Sequence, residues 1–208
     1  MNKAMQKKIA FALGGALLLA LAVLLALQWQ ARRQALAELP VNTRMGGDFL
    51  LPSTLGQPLD TRTLRGKPVL LNFGFTTCPD VCPMVLARLR QVVKALGADA
   101  RGVQVVFVSF DPARDTLPVI RAYLQHFDPA FVGATGSEVQ VATTAARYGV
   151  VYLKEDSGSA AGYGFAHSDY IYLLDSEGRV RKLYGGEAKT AEIVNDVRLL
   201  QRAARGLF

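Results

Sequence analysis

The chain has 208 residues, enough for one domain of ordinary size plus an appendage. Half of its residues are hydrophobic and 20% are charged, with no low-complexity block, which excludes a disordered protein. The net charge of +7 does not mark a nucleic-acid binder. From Leu39 onward 19 basic residues face 16 acidic ones, a balance of +3, and no basic stripe is interleaved with aromatics.

The basic excess gathers at the start. Lys3, Lys7, Lys8, Arg32 and Arg33 flank residues 9–27, a run of 19 residues without a charge. As a helix this run is about 29 Å long, against a hydrocarbon core of about 30 Å. That predicts an uncleaved membrane span. The rival is a secretory signal, whose apolar region is usually shorter, about 7–15 residues. Ala35-Leu36-Ala37 has the spacing of a cleavage site, but it lies beyond two arginines. Three lysines before the span and two arginines after it favour a cytoplasmic N-terminus slightly, and Trp29 suits the far interface. Gly14 and Gly15 can serve helix packing or be merely tolerated in the span.

Residues 39–47 contain Pro40, Asn42, Thr43 and two adjacent glycines and read as linker. Phe49, Leu50 and Leu51 with the stretch after Gly56 predict a short hairpin. Residues 69–75, apolar apart from Asn72, read as a buried strand that ends at the two cysteines. Pro83 suits the first turn of the helix that follows. Its apolar face is Val85, Leu86, Leu89, Val92, Val93 and Leu96, and Gly97 suits its exit. Residues 103–110 read as a strand buried on both faces. Asp115 or Thr116 is placed to cap a helix with Val119, Ile120, Tyr123, Leu124 and Phe127 inside. Ser137 and Gln140 form a capping box ahead of Val141, Ala145 and Tyr148. Residues 169–174 and 180–184 are strands joined by a turn, and residues 189–205 close as a helix with Ile193, Val197, Leu200 and Ala204 inside. The order β-α-β-α-(α)-β-β-α predicts an α/β fold of thioredoxin type, a central mixed sheet flanked by helices.

The only two cysteines, Cys78 and Cys82, lie four positions apart between a buried strand and a helix. At helical geometry their Cα atoms are about 6 Å apart, inside the disulfide window, and Pro79 and Pro83 work against a regular helix across the pair. A helix N-terminus lowers a thiol pKa, which favours both metal binding and disulfide exchange. Inert buried thiols and a static disulfide are the alternatives. Two thiolates leave most metals short of a ligand, and the chain has only His126 and His167 to add. His126 sits at a helix end and suits a surface or capping role. His167 follows a Gly-rich loop with Gly162 and Gly164 and precedes a strand, so it reads as a loop residue within reach of the cysteines. Spacing alone does not decide that it binds metal. Two sulfurs with one imidazole suit Cu(I) and accept Cu(II); zinc more often takes a fourth protein ligand. Asp111 follows a strand end, either near this site or simply in a turn with Pro112.

Residues 73–83, Phe-Gly-Phe-Thr-Thr-Cys-Pro-Asp-Val-Cys-Pro, closely resemble the signature of the Sco/SenC family. So do Ser109-Phe110-Asp111-Pro112-Ala113-Arg114-Asp115-Thr116, and His167-Ser168 leading into Tyr172-Leu173-Leu174-Asp175 and Gly178. Leu64, Gly66-Lys67-Pro68 and Tyr184-Gly185-Gly186 fit as well, in the same order, so the likeness spans about residues 48–205. Ala166 departs from it, since many relatives carry an acidic residue there, and the 156–164 loop is rich in Gly, Ser and Ala.

The resemblance implies a thioredoxin fold, a membrane tether, and one copper ion, Cu(I) or Cu(II), held by Cys78, Cys82 and His167. It also implies a role at the dinuclear copper centre of cytochrome c oxidase during assembly. There the protein delivers copper, reduces the target's cysteines, or both, with Cys78 and Cys82 as a redox-active pair. The implied partners are the copper-bearing oxidase subunit, other copper chaperones, thioredoxin-like reductants and the bacterial inner membrane, with the soluble domain facing the periplasm. The chain thus divides into a cytoplasmic N-terminus (1–8), a transmembrane anchor (9–29), a linker (30–47) and a thioredoxin-like copper-binding domain (48–208). A general thiol-disulfide reductase or thiol peroxidase is the rival enzyme class. A general reductase usually has two residues between its cysteines, not three, and needs no distant histidine. A copper- or redox-sensing module is the third reading.

Overall fold

A computed structural model describes residues 2–156 and 162–205. The chain divides into two units, one ending at Glu38 and one beginning at Leu39. The first unit is a single helix, α1 (Lys3–Ala37). Its stretch from Phe11 to Ala31 is long and apolar enough to cross a membrane. Arg33 lies over the Trp29 ring at 3.8 Å. Helix therefore runs through residues 30–37, which the sequence pattern assigns to the linker.

The second unit opens with residues packed against the domain. Leu39 is buried, and the Asn42 amide donates to the Val180 carbonyl at 2.8 Å. Then come β1 (Leu50–Leu51) and β2 (Leu59–Asp60), an antiparallel pair. The main sheet has five strands in the order β5-β4-β3-β8-β9. They are β3 (Val69–Gly74), β4 (Gln104–Ser109), β5 (Val132–Ala134), β8 (Ile171–Leu174) and β9 (Val180–Tyr184). β3, β4 and β5 run parallel, whereas β8 and β9 are antiparallel. Every residue of β3 is buried, as a mostly apolar run requires for a strand covered on both faces; its one polar residue, Asn72, donates to the Tyr170 carbonyl at 3.1 Å. Helices α2 (Val81–Leu96), α3 (Leu117–Gln125), α4 (Glu138–Arg147) and α5 (Thr190–Ala204) complete the domain. This is the thioredoxin-like arrangement that the element order predicts.

One face of the sheet carries Leu71, Phe73, Val106, Val108, Tyr172 and Leu174, packed with Val141, Ala145 and Tyr148 from α4 and its end. On the other face Phe107 meets Tyr123 of α3, with ring centroids 6.2 Å apart. The close approach of α3 to the sheet edge explains Gly133, where an added Cβ would collide with Ile120. The Ser137–Gln140 capping box at the head of α4 is formed in full.

Besides residues 30–47, which the sequence pattern reads as linker, and β5, which it does not assign, two further parts of the chain differ from it. Where the sequence reads a Gly-rich loop over residues 156–164, with His167 after it, the structure has the hairpin β6 (Tyr152–Asp156) and β7 (Tyr163–His167), a separate two-stranded sheet. His167 is thus the last residue of a strand, not a loop residue. The pattern misses the hairpin because β6 is exposed and charged along most of its length, so no buried face imposes an alternation. Within the Gly-rich loop, residues 157–161 lie outside the described residues. Asp115 is the second difference. Thr116 occupies the N-cap position of α3 without a side-chain cap bond, and the Asp115 carboxylate turns inward, completely buried.

Candidate metal centre

β3 delivers the chain to the cysteines, and α2 carries it away from them. Cys78 lies in the connection, its amide donating to the Phe75 carbonyl at 3.3 Å. Cys82 lies in the first turn of α2, with Pro83 beside it. The Cys82 amide, one of the helix's unpaired N-terminal donors, points at the Cys78 Sγ at 3.5 Å. Both thiols are free; Cys82 is buried and Cys78 is partly exposed.

Asp115 holds the cysteine loop from below. Its carboxylate accepts the Thr76 amide at 2.8 Å, the Thr76 hydroxyl at 2.5 Å and the Ser109 hydroxyl at 2.5 Å. Gly74 makes room for the second cysteine. A Cβ at that position would lie 2.8 Å from the Cys82 Sγ and 2.9 Å from the Phe107 ring.

β7 supplies the histidine. Its Nδ1 lies 3.0 Å from the Ser168 carbonyl. A carbonyl only accepts, so Nδ1 carries the hydrogen and Nε2 of the neutral ring keeps its lone pair. Nε2 lies 3.6 Å from the Cys82 Sγ. The two sulfurs and one ring nitrogen all fall within 4.8 Å of one another. Among the described residues, His126 takes no part in this group; its amide caps the end of α3. Phe75 and Phe110 wall the imidazole edge-on, at centroid distances of 5.8 and 5.2 Å. An open cleft of ≈ 310 Å³ leads to Cys78 and His167 between Val81 and Phe165.

The two thiols are electrostatically unlike. The hydrogen bond from Cys82 lowers the Cys78 pKa to about 4, against the opposing effect of burial and with help from His167. Cys82 is pushed up by the same hydrogen bond, of which it is the donor, and by burial. Burial pulls the His167 pKa down, but hydrogen bonds to Cys78 and to the Ser168 backbone outweigh it and the net shift is upward. Asp169, half-buried next to the group, is raised by burial. The site therefore holds one thiolate and one thiol beside an imidazole. This donor set fits a soft metal ion such as Cu(I), and the imidazole also accommodates Cu(II).

The three residues that the sequence singles out are brought together by the structure, but the residues that hold them are not among those it singles out. Gly74, Arg114 and Asp115 all lie in the quoted motifs, where the only available signal is membership itself. Asp111, left open between a site and a turn, is buried and accepts a hydrogen bond from Tyr163 of β7.

Fold and site together define a thioredoxin-like protein with a Cys-x3-Cys pair at a helix head and a histidine on a neighbouring hairpin. Residues 37–202 match the SCO1/SenC family model, and the chain belongs to that family. It is similar to the mouse protein "Protein SCO2 homolog, mitochondrial", 40% identical over 175 residues that cover 82% of this chain and 68% of that one. Bradyrhizobium japonicum ScoI with copper bound is similar in structure, at TM-score 0.70 and 35% identity, over 75% of this chain and 99% of that one. Yeast Sco1 with copper bound is similar at TM-score 0.66 and 30% identity, over 74% and 86%.

Proposed function

We propose that this chain is a membrane-anchored copper protein whose Cys78, Cys82 and His167 hold one copper ion as cargo. Its destination is the dinuclear copper centre of cytochrome c oxidase during assembly, in keeping with its family. The observation that carries the reading is the convergence of two sulfurs and one ring nitrogen within 4.8 Å, beside an open cleft that Cys78 and His167 line. Copper-bound structures exist for two relatives with this fold. In this chain the Cys78 thiolate is the donor ready at neutral pH, Cys82 must lose its proton on loading, and His167 presents Nε2 with its tautomer already set. Loading therefore releases protons, and affinity falls as the pH drops. Bound copper supplies a soft acid that acceptor thiolates can capture by ligand exchange. The copper-bearing oxidase subunit is the acceptor in this reading, with other copper chaperones and thioredoxin-like reductants as further partners.

The unlike thiols favour a second use of the same pair. The accessible Cys78 thiolate attacks a partner disulfide and expels one partner thiolate. Cys82, after giving up its proton, then attacks the mixed disulfide. The products are an internal Cys78–Cys82 disulfide and a reduced partner dithiol, a balanced two-electron exchange. Helix α1 is the membrane anchor, with the domain facing the periplasm of a bacterial inner membrane. The lysines before the span support that orientation weakly.

Copper titration of the reduced, detergent-solubilised chain tests the first reading. The expected result is one ion per chain, sulfur-to-Cu(II) charge-transfer absorption, and strongly weakened Cu(II) binding in His167→Ala. Unchanged stoichiometry and affinity in that variant would remove His167 from the site.

A further inference from the structure

The metal group is built from two halves that share no strand. The cysteines hang from β3 and α2, and the histidine hangs from the β6–β7 hairpin, which pairs with no strand of the main sheet. Something must fix one half against the other to within the tolerance of a metal site, about half an ångström. The segment from Ser109 to Thr116 does so, and two adjacent residues divide the work. Asp115 takes the cysteine half through Thr76. Arg114 takes the histidine half.

Three kinds of contact join Arg114 to its own segment, to β7 and to the cysteine loop. Its Nε donates to the Asp111 carboxylate at 2.5 Å, which keeps the guanidinium in place. Its Nη1 donates to the Tyr163 carbonyl of β7 at 2.8 Å. Its guanidinium carbon lies 3.7 Å from the Tyr163 ring centroid and 5.8 Å from that of Phe75. The Tyr163 hydroxyl closes the loop by donating to Asp111 at 2.8 Å. Strand periodicity transmits this hold. Tyr163, Phe165 and His167 are two residues apart and face the same side of β7. Phe165 seats against Phe75 and Phe110, at 5.2 and 5.3 Å. Tyr163 is thus fixed at one end of a short rigid strand and His167 stands at the other.

We propose that Arg114 is a positioning residue for His167: by clamping Tyr163 it sets the hairpin, and with it Nε2, against the cysteines. The inference rests on the proposed copper site. Arginine suits the task because its planar fork donates in two directions while its face stacks on a ring, which a lysine ammonium does not reproduce.

A double-mutant cycle on the full chain in detergent tests this, with Cu(II) titrated into wild type, Arg114→Ala, His167→Ala and the pair. Arg114→Ala is expected to lose about 10- to 100-fold in affinity, the usual effect of removing a group that orients a ligand. In the His167→Ala background the same change is expected to cost nothing further. If Arg114→Ala does not fold, Arg114→Lys replaces it in the same cycle, with the same pattern expected. A second readout is the NMR spectrum of the metal-free chain. The His167 ring resonances should move toward solvent-exposed values, while the Thr76 amide, held by Asp115, stays in place. Losses that multiply in the double variant overturn the proposal, as does wild-type affinity in Arg114→Ala beside a weakened His167→Ala. Wild-type affinity in His167→Ala itself defeats the copper reading and this inference together.

Discussion

Cys78 and Cys82 have identical side chains and different chemistry, and the difference is local. Cys78 receives hydrogen bonds, whereas Cys82 is buried beneath it. With its pKa lowered to about 4 from an ordinary 9.0, Cys78 is a thiolate throughout the range from about pH 5 upward. Its alkylation rate in the metal-free reduced chain should therefore be nearly flat between pH 5 and 8. An ordinary thiol would gain about tenfold per pH unit there, because only the thiolate reacts. Cys82 should stay unmodified until the protein unfolds. Mass spectrometry of iodoacetamide-treated samples reads both outcomes; a rate that climbs steadily with pH, or equal labelling of the two cysteines, refutes the assignment. The sequence shows the pair's place between a strand and a helix, a dipole end that acts on both thiols; which of the two it favours depends on burial and hydrogen bonding that spacing does not reveal. Gly74 was not legible, since its role depends on where the Cys82 sulfur falls once the helix has docked.

Elements show the same division between local and non-local information. Helices α2, α4 and α5 are readable because their apolar spacing, and in α4 the capping box as well, is written within one segment. The β6–β7 hairpin is not, because its seat is an aromatic cluster drawn from β3, β4 and their exits. The turn between β8 and β9 belongs to the readable kind, and its contacts are mostly its own, with Arg181 of β9 added. Asp175 is buried and accepts the amides of Glu177 and Arg179 at 2.9 and 3.0 Å. It also meets the guanidinium groups of Arg179 and Arg181 at 2.9 and 3.1 Å. Burial raises its pKa, but the Arg179 amide and guanidinium, then Arg181, outweigh burial and hold the carboxyl below its ordinary 3.8. A depressed carboxylate pKa stabilises the fold fully above the unfolded value, and that stability is lost as pH falls through the folded value. The stability gap between wild type and Asp175→Asn should accordingly be constant from neutral pH down to about pH 5 and narrow below about pH 4. Urea denaturation at a series of pH values measures it; a gap that widens on acidification contradicts the account.

At the scale of the whole chain, the division at Glu38 and Leu39 separates an apolar helix from a domain that buries its own core. The stretch from Leu39 to Gly47 reads as linker by composition, because glycines and Pro40 signal loop and nothing in the segment shows what it touches. In the structure it belongs to the domain. Leu39 is 2% exposed, and its carbonyl accepts the Arg181 Nε at 2.6 Å. The Gly46 amide donates to Arg147 at 2.7 Å, and the Gly47 carbonyl accepts the Tyr148 hydroxyl at 2.9 Å. Two truncations separate the compositional reading from the packed one. Removing residues 1–38 should leave the denaturation midpoint of the domain unchanged, because no core residue is lost. Removing residues 1–47 should cost about 2–4 kcal/mol, from the exposure of one buried leucine's pocket and the loss of several buried hydrogen-bond partners. The second truncation should also loosen Asp175, since Arg181 would lose the carbonyl that orients it. Equal midpoints for the two truncated proteins would mean that the stretch is a passive tether. A loss on removing residues 1–38 alone would mean that the helix supports the domain.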